Sequence, residues 1–353
     1  MHYDKINDQF KQEFFKLTDA AEKIVITSHI SPDDDSIASV LAMYRLLSDR
    51  YLDKSVRMIY TGESVKRYGY FQSFDRIEFV DDVADHFKDV DLLIGLDGSQ
   101  YSRFTENSTR LEKSTDRTIC IDHHSSPIDE FDLSLVDAQA PATAFIIYQL
   151  FYKDSNVDKS LAETLLLGIL GDTGNFAYLK PHQIETLLTA KRLIEAGQVE
   201  IQEFQSKYRT ISRRVFDLIR EFIKNTKYYQ VEGWPDFQAS QVTRDVIQPE
   251  EYSDNEISEA NHIYMAHYLR VIEGCRWGFV ITPKSDGTCG ISLRSLPGSV
   301  NVRGLVERMG IGGGHDRAAG GTFEVKEDDK PREVKECLEE VLSWMKKNEP
   351  VFS

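Results

Sequence analysis

The stretch Arg117-Thr118-Ile119-Cys120-Ile121 runs directly into Asp122-His123-His124. A short run rich in apolar and β-branched residues predicts a buried strand, and here acidic and imidazole side chains follow at its carboxyl end. Both side-chain types are common metal ligands. This stretch therefore predicts a sheet strand that carries metal-binding groups to one edge of the sheet.

The same arrangement recurs three times along the chain. The apolar runs are residues 24–27, 92–96 and 165–170, and the acidic or imidazole residues at or near their ends are His29, Asp33 and Asp35, then Asp97, then Asp172. Continuous apolar runs bounded by polar residues are typical of strands buried on both faces of a parallel sheet. Because such sheets bind ligands beyond the carboxyl ends of their strands, we expect these side chains to meet in one crevice.

The predicted crevice would hold four carboxylates beside the imidazoles of His29 and His123. Carboxylates packed this closely repel one another unless cations neutralise them, and one divalent ion would leave net negative charge. The site therefore predicts two divalent ions, and its mixed oxygen and nitrogen ligands favour Mn²⁺ or Mg²⁺ over a structural zinc. Any one of these aspartates, taken alone, is equally well explained as a turn former or a helix cap.

The order of elements predicts an α/β fold. After a first strand at 24–27, further strands are expected at 56–60, 77–80, 91–97 and 117–121, with helices at 8–22, 35–49, 141–152, 159–170 and 181–196. This alternation predicts a doubly wound, mostly parallel sheet in a catalytic domain over residues 1–195. A polar helical connector at 196–226 then leads to a smaller α+β domain at 227–353, with β-like runs at 228–231, 237–242, 277–281 and 290–293 and helices at 256–266, 301–309 and 331–347.

The composition excludes several classes of function. A formal net charge of −16 over 353 residues argues against nonspecific binding of long nucleic acid, which needs basic grooves. No apolar run approaches the roughly 20 residues that span a bilayer, and residues 1–16 lack a signal-peptide core. Four widely spaced cysteines without a C-x-x-C pair fit a reducing cytoplasm, so we expect a cytoplasmic protein without a membrane partner.

The glycine-rich segment 310–321 is the second strong signal. Three consecutive glycines, Gly312, Gly313 and Gly314, let backbone N–H groups approach an anion closely, and His315 follows at once. The spacings of a P-loop and of a dinucleotide fingerprint are both absent. The segment predicts an anion-binding loop, with a flexible turn between helix and strand as the alternative.

Other polar and aromatic residues of the C-terminal half remain ambiguous. Arg294, at the end of a predicted strand, could clamp a phosphate bidentately or be a solvated surface arginine. Tyr264, Tyr268 and Trp277 could stack on a base, although core packing explains each of them better.

Taken together, these motifs closely resemble the DHH phosphoesterase superfamily, which is named for the triplet Asp122-His123-His124. The catalytic domain is matched by His29-x-x-x-Asp33-x-Asp35, by Asp97, by the triplet and by Gly171-Asp172-Thr173-Gly174. A C-terminal DHH-associated domain is matched by Ser292-x-Arg294-Ser295 and Gly312-Gly313-Gly314-His315-x-x-Ala318-Ala319-Gly320. Within the superfamily, the chain is most similar to the group of oligoribonucleases, pAp phosphatases and phosphodiesterases for cyclic di-AMP or its linear product.

The resemblance implies a role for each matched residue. One ion would be held by His29 and Asp33, the other by Asp35, His123 and Asp172, with Asp97 bridging the two. His124 would bind the scissile phosphate, and Asp122 would orient the histidines. The terminal phosphate or nucleotide of the substrate would be held by Arg294, His315 and the backbone of Gly312, Gly313 and Gly314.

The chain also departs from the family pattern. Ser125-Ser126-Pro127 stands where an asparagine is common, Asp34 and Ala38 stand where glycine is frequent, and Phe145 stands where an acidic residue is frequent. None of these positions is expected to ligate metal, so they bear on substrate preference rather than on catalysis.

The predicted function is metal-dependent hydrolysis of short oligonucleotides such as nanoRNA and pApA, or of pAp, to mononucleotides. Two alternatives stay open: a pyrophosphatase or polyphosphatase on the same metal centre, and a metal-loaded nucleotide sensor without turnover. The resemblance allows a homodimer, and the sequence fixes neither the oligomeric state nor the preferred nucleotide.

Overall fold

The computed structural model describes residues 2–87, 89–105, 107–112, 117–124, 130–248, 250–326 and 330–352, with the backbone alone for residues 2–7 and 112. The chain divides into two compact units, Met1–Thr210 and Ile211–Ser353. In the described part of the chain, no helix combines the length and apolarity needed to cross a membrane.

The first unit alternates strands and helices. Its strands are β1 (Lys23–Ser28), β2 (Ser55–Thr61), β3 (Ile77–Val80), β4 (Leu92–Leu96), β5 (Thr118–Asp122) and β6 (Leu133–Val136). Its helices are α1 (His2–Ala20), α2 (Asp34–Arg50), α3 (Ser108–Glu112), α4 (Thr143–Ile147), α5 (Lys159–Asp172), α6 (Glu185–Gly197) and α7 (Ile201–Tyr208). A π-helical turn, Tyr148–Tyr152, continues α4.

These strands form one six-stranded sheet in the order β3-β2-β1-β4-β5-β6, and every neighbouring pair is parallel. Alternate residues of a strand point to opposite faces. Ile24 therefore packs in the core that α2 and α5 cover, whereas Val25 packs with Phe104 and with Leu111 of α3 on the other face. The predicted α/β class with a parallel sheet is confirmed.

The strand order reverses between β1 and β4. From β1 the chain moves outward to β2 and β3, and it then returns to the opposite side of β1 to form β4, β5 and β6. At such a switch point the connections leave in opposite directions, so a crevice opens beyond the carboxyl ends of the two strands. His29 follows β1 and Asp97 follows β4 at this point.

Sequence pattern is less reliable for two elements of this unit. The run 165–170 has the apolar continuity of a buried strand but lies within α5, so only the helix predicted at 159–170 is correct. Leu165, Leu166 and Leu167 are all buried, and periodicity cannot separate a fully buried helix from a strand. The four-residue strand β6 is not expected from the sequence, because its alternation is too short to stand out.

The second unit is built on a mixed sheet. Its strands are β7 (Lys227–Tyr229), β8 (Phe237–Gln241), β9 (Trp277–Pro283), β10 (Cys289–Ser295), β11 (Gly312–His315) and β12 (Ala318–Phe323), and its helices are α8 (Arg213–Lys224), α9 (Arg244–Ile247), α10 (Asp254–His267), α11 (Val302–Met309) and α12 (Val334–Met345). The strand order is β11-β12-β10-β9-β8-β7, and only β8 and β9 pair in parallel among these neighbours.

Each face of the second sheet has its own core. Phe279, Leu293 and Trp277 pack with residues of α11 and α12 on one face. Val280 packs with Tyr264 of α10 and with residues of α8 on the other. Tyr264 and Trp277 are thus core residues, whereas Tyr268 is 42% exposed. The predicted helical connector at 196–226 contains α7 in the first unit and α8 in the second.

Candidate active site

The first part of the site is built where β1 passes into α2. His29 follows the strand directly, and Asp33 is the N-cap of the helix, where its side chain accepts hydrogen bonds from the backbone N–H groups of Asp35 and Ser36 at 3.1 and 3.0 Å. An aspartate cap satisfies free N–H groups and favours the positive end of the helix. Asp35 lies in the first turn and is fully buried, so one helix start supplies two carboxylates to the crevice.

The neighbouring strands supply the next groups. Asp97 follows β4 with a φ of +56°, a left-handed conformation that non-glycine residues seldom adopt. Its backbone N–H donates to the carbonyl oxygen of Ile121 on β5 at 3.0 Å, which holds this turn against the adjacent strand. His123 and His124 follow β5, and Asp172 is the last residue of α5.

Six of the sequence-predicted residues meet in this crevice. Around His29, the Nε2 atom lies 3.5 Å from Asp33 Oδ2 and 3.4 Å from Asp97 Oδ2. Around His123, the Nε2 atom lies 2.9 Å from Asp172 Oδ2, 3.5 Å from Asp97 Oδ1 and 3.9 Å from Asp35 Oδ2. The two oxygens of Asp97 therefore face two different groups of potential ligands.

Each group has the dimensions of a metal site. One ligand atom from each of His29, Asp33 and Asp97 lies within 4.8 Å of the others, and the same holds for Asp35, His123 and Asp172. A third group of the same size joins Asp97, His123 and His124. The assignment of individual residues as ligands stays a prediction, but their convergence is a property of the fold.

Burial and neighbouring negative charges raise the pKa values of carboxyl groups in this crevice. Burial, together with the charges of Asp97 and Asp172, raises the pKa of Asp35 well above its usual value. Burial also raises the pKa of Asp172 to about 6, although His123 acts in the opposite direction. These shifts indicate that the protein alone does not compensate its buried negative charge.

The histidines respond to the same charges. Burial disfavours the protonated form of His29, but the carboxylates of Asp33 and Asp97 outweigh burial and raise its pKa well above the usual value. Burial also disfavours the protonated form of His123. The carboxylates of Asp172, Asp97 and Asp35 outweigh burial and raise the pKa of His123 well above its usual value. Cations in the crevice would replace these protons.

The donor set fits divalent metal ions. His29 Nδ1 lies 2.9 Å from the carbonyl oxygen of Ile30, which accepts a hydrogen bond from it, so the Nε2 atom that faces the carboxylates could bind an ion once it is deprotonated. His123 Nε2 is buried and, despite its short distance to Asp172, lacks the geometry of a hydrogen bond. Carboxylate oxygens and imidazole nitrogens in this proportion suit Mn²⁺ or Mg²⁺.

His124 is held differently from His123. Its Nδ1 lies 2.8 Å from Asp122 Oδ1, and the same oxygen accepts the backbone N–H of His124 at 3.1 Å. Burial works against ionisation of Asp122, but the hydrogen bonds from His124 outweigh it and lower the pKa of this carboxyl. The contact with Asp122 fixes the orientation of the His124 imidazole.

Sequence reasoning misses the residues that hold the carboxylates in place. The backbone N–H groups of Thr143 and Ala144, at the start of α4, donate to the two oxygens of Asp35 at 2.6 and 2.9 Å. The hydroxyl of Thr143 donates to Asp97 Oδ1 at 2.9 Å. The start of a short helix after Pro141 carries no metal-site signal in the sequence, so only the fold identifies these contacts.

The predicted substrate-binding residues lie in the second unit, on a row across its sheet. Arg294 of β10 pairs with Ala318 of β12, which in turn pairs with His315 of β11. Residues that pair across strands share one face. Arg294 and His315 therefore lie on the same face, two strand spacings or about 10 Å apart.

The glycine triplet forms part of this face and is not the loop that we expected. Gly312–His315 is strand β11, which pairs antiparallel with β12, so the loop prediction is wrong. Gly313 pairs with Gly320, which pairs with Ser292. Because neither glycine has a side chain, these two residues leave the backbone beside Arg294 and His315 uncovered by side chains of their own.

Comparison with known proteins identifies both units. Residues 23–169 match the model described as "DHH family, N-terminal domain", and residues 251–347 match the DHHA1 domain. The chain belongs to the DHH family. DHH-family phosphoesterases are metal-dependent hydrolases, in agreement with the acidic and imidazole groups of the first unit.

Curated relatives resemble this DHH-family chain over most of its length. It is 24% identical over 319 residues to the "Bifunctional oligoribonuclease and PAP phosphatase NrnA" of Bacillus subtilis, covering 89% of this chain and 93% of the relative. The protein of the same name from Thermus thermophilus is 26% identical over 322 residues, covering 91% and 90%.

A solved structure shares the fold of this DHH-family chain. It is an exopolyphosphatase-related protein from Bacteroides fragilis, with a TM-score of 0.79 at 24% sequence identity and coverage of 96% of this chain and 97% of that one.

Three of the residues that depart from the family motif lie in the described part of the first unit. Asp34 Oδ1 is 2.7 Å from Arg67 Nη2 and accepts the hydroxyl of Tyr68 at 2.7 Å, so the extra carboxylate is neutralised locally. Ala38 is fully buried, and Phe145 packs against the core of the first unit. The segment Ser125-Ser126-Pro127 lies outside the described residues.

Gly168 of α5 makes room for Asp35 and supplies a test of the site. A Cβ at this position would lie 2.6 Å from Asp35 Oδ1 and 2.6 Å from Ala144 Cβ. We expect Gly168→Ala to lower the free energy of unfolding by about 1–3 kcal/mol and to weaken divalent-metal binding, because the buried carboxylate must move. Urea denaturation and metal titration measure the two effects.

Gly304 of α11 is the matched control. A Cβ there would meet Asn301 Oδ1 only at 3.5 Å, so Gly304→Ala should leave metal binding unchanged and stabilise the helix by up to about 1 kcal/mol. Wild-type stability and metal affinity in Gly168→Ala would show that the close approach does not constrain Asp35.

Proposed function

We propose that this DHH-family phosphoesterase hydrolyses short oligonucleotides such as pApA, and pAp, with two Mn²⁺ ions bound in the crevice of its first unit. The observation that carries the proposal is the position of Asp97, whose two carboxylate oxygens face two separate groups of ligands. A shared carboxylate between two histidine-aspartate groups is the arrangement that a pair of divalent ions requires. Mg²⁺ is the alternative ion.

The chain offers a complete ligand set for this pair. His29 and Asp33 would hold one ion, Asp35, His123 and Asp172 would hold the other, and Asp97 would bridge them. When bound, such ions lower the pKa of a water molecule to make a nucleophile, and they neutralise the phosphate oxygens for in-line attack. The carboxylates of the protein would determine where the positive charge of the ions lies.

His124 would complete the phosphate site. Asp122 holds the imidazole through Nδ1, so a phosphate oxygen would be contacted through Nε2. A hydrogen bond from His124 to the scissile phosphate would strengthen as charge develops on the phosphate oxygens in the transition state. Asp122 would act through His124 rather than by touching the substrate.

The second unit supports recognition of a short substrate. Arg294 and His315 flank the glycine face of its sheet, where a guanidinium can hold a terminal phosphate bidentately. An area about 10 Å across fits one phosphorylated nucleotide rather than a long strand. The net charge of −16 also disfavours long nucleic acid, so the substrate should be short.

The relatives from Bacillus subtilis and Thermus thermophilus carry the names oligoribonuclease and PAP phosphatase, and this likeness supports the same substrate class here. A cytoplasmic location and a homodimer are further predictions for this chain.

Asp97→Asn tests the metal centre. An amide cannot replace the charge of a bridging carboxylate, so we expect hydrolysis of pApA in Mn²⁺ buffer to fall at least about 1,000-fold, with the fold intact by circular dichroism. Asp53→Asn is the control, because this exposed aspartate lies outside the crevice and should leave turnover unchanged. Undiminished hydrolysis by Asp97→Asn would rule out the proposed mechanism.

Arg294→Gln tests the substrate-binding face. Loss of a charge-assisted hydrogen bond of about 1.5–3 kcal/mol should raise KM for pAp roughly 10- to 100-fold. Hydrolysis of bis-p-nitrophenyl phosphate, which has no terminal phosphate, should not change. Arg220→Gln on α8 is the control, since this side chain is 67% exposed and away from the sheet. An unchanged KM for pAp in Arg294→Gln would remove Arg294 from substrate binding.

A panel of substrates with Mn²⁺ tests the proposed reaction against its rivals. The substrates are pAp, pApA, cyclic di-AMP, RNA of two to five nucleotides and pyrophosphate. We expect AMP from pAp or pApA faster than phosphate from pyrophosphate. Faster pyrophosphate cleavage would support the pyrophosphatase alternative, and calorimetric binding of pApA without product would support the nucleotide sensor.

A further inference from the structure

Thr143 connects two carboxylates that the proposed metal centre uses in different ways. Its hydroxyl donates to Asp97 Oδ1 at 2.9 Å, and its backbone N–H donates to Asp35 Oδ2 at 2.6 Å. The residue is fully buried, so water does not compete for either contact. We propose that Thr143 is a positioning residue that fixes the orientation of the bridging carboxylate; this inference rests on the proposed two-ion centre.

The orientation of Asp97 is what a bridging role depends on. Oδ2 lies 3.4 Å from His29 Nε2, in one ligand group, and Oδ1 lies 3.5 Å from His123 Nε2, in the other. Rotation of the carboxylate about its Cβ–Cγ bond would draw one oxygen out of its group. The Thr143 hydroxyl donates to Oδ1, so it resists that rotation and would keep each oxygen within its own ligand group.

The backbone around Thr143 makes this hydroxyl a rigid support. Asp35 accepts the N–H groups of both Thr143 and Ala144, one on each oxygen, which fastens the start of α4 to the start of α2. The Thr143 backbone therefore cannot shift without moving Asp35. A threonine side chain has few rotamers, so its hydroxyl is already directed at Asp97 before any ion binds.

The proposal predicts an effect on metal affinity rather than on the fold. Partners that hydrogen-bond to metal ligands typically change metal affinity or activity by 10- to 100-fold when they are removed. We therefore expect Thr143→Val, which keeps the side-chain shape and the backbone N–H, to weaken Mn²⁺ binding by about 10- to 100-fold. Thr143→Ser retains the hydroxyl and should bind Mn²⁺ as the wild type does.

The experiment is a titration of the metal-free full chain with MnCl₂. Calorimetry measures the heat of binding, and electron paramagnetic resonance measures the unbound Mn²⁺. Thermal unfolding without metal reports stability separately. Hydrolysis of pApA by Thr143→Val should be restored in part by excess Mn²⁺, because the ligands themselves remain. If Thr143→Val did not fold, Thr143→Ala would remove the same hydroxyl with less crowding.

Thr189→Val is the matched control. Thr189 is also fully buried, and its hydroxyl accepts a hydrogen bond from Gln149 Nε2 at 3.0 Å, away from the carboxylates. This variant should lose stability without losing Mn²⁺ affinity. Wild-type Mn²⁺ affinity in Thr143→Val, or weakened binding that Thr143→Ser shares, would overturn the positioning role. Absence of Mn²⁺ binding by the wild type would overturn the metal centre itself, and the positioning role with it.

Discussion

The repulsion between four carboxylates in one crevice is the electrostatic constraint on which the rest of the site depends. Asp35 is 0% exposed and Asp97 is 1% exposed, so water can do little to screen their repulsion. Backbone N–H donors at the starts of α2 and α4, together with the imidazoles of His29 and His123, partly offset this negative charge. Bound cations would offset the remaining negative charge and so stabilise the crevice.

The topology of the first unit turns separate sequence segments into one site. His29 and Asp97 follow adjacent parallel strands whose outgoing connections lead to opposite sides of the sheet, and the crevice lies between these connections. The helix starts point their N–H groups into the same space, where anionic groups are favoured. The sheet therefore fixes the positions of the groups, and the helix termini help to stabilise the charges.

In the second unit, the residues that are predicted to contact an anion lie toward one edge of a mixed sheet. One face of its sheet buries Leu293 and Phe279 under α11 and α12. The other face carries Arg294 and His315 beside Gly313 and Gly320, and it also packs Val280 against α8 and α10. Glycine pairs with glycine at Gly313 and Gly320, and the hydrogen bonds of the sheet hold this part of the backbone in place.

Much of this protein could be predicted from its sequence. The apolar runs before His29, Asp97 and His123 correctly predict three strands of the sheet, because a buried strand is a short, continuous run of apolar residues in the sequence. The acidic and imidazole residues at the ends of these runs predict a metal site, because the carboxyl ends of parallel strands meet at one edge of the sheet. The α5 run at 165–170 and strand β11 were misassigned, because a fully buried helix and a glycine strand lack the usual local pattern.

The sequence by itself thus determined where these strands end and which chemical groups follow them, since both depend on residues that are adjacent in the chain. Only the tertiary structure decided that Thr143 supports Asp97 and Asp35, and that Gly168 leaves room for Asp35. Those contacts join segments far apart in the chain, and nothing in the local composition of a threonine or a glycine indicates what lies against it in the folded protein.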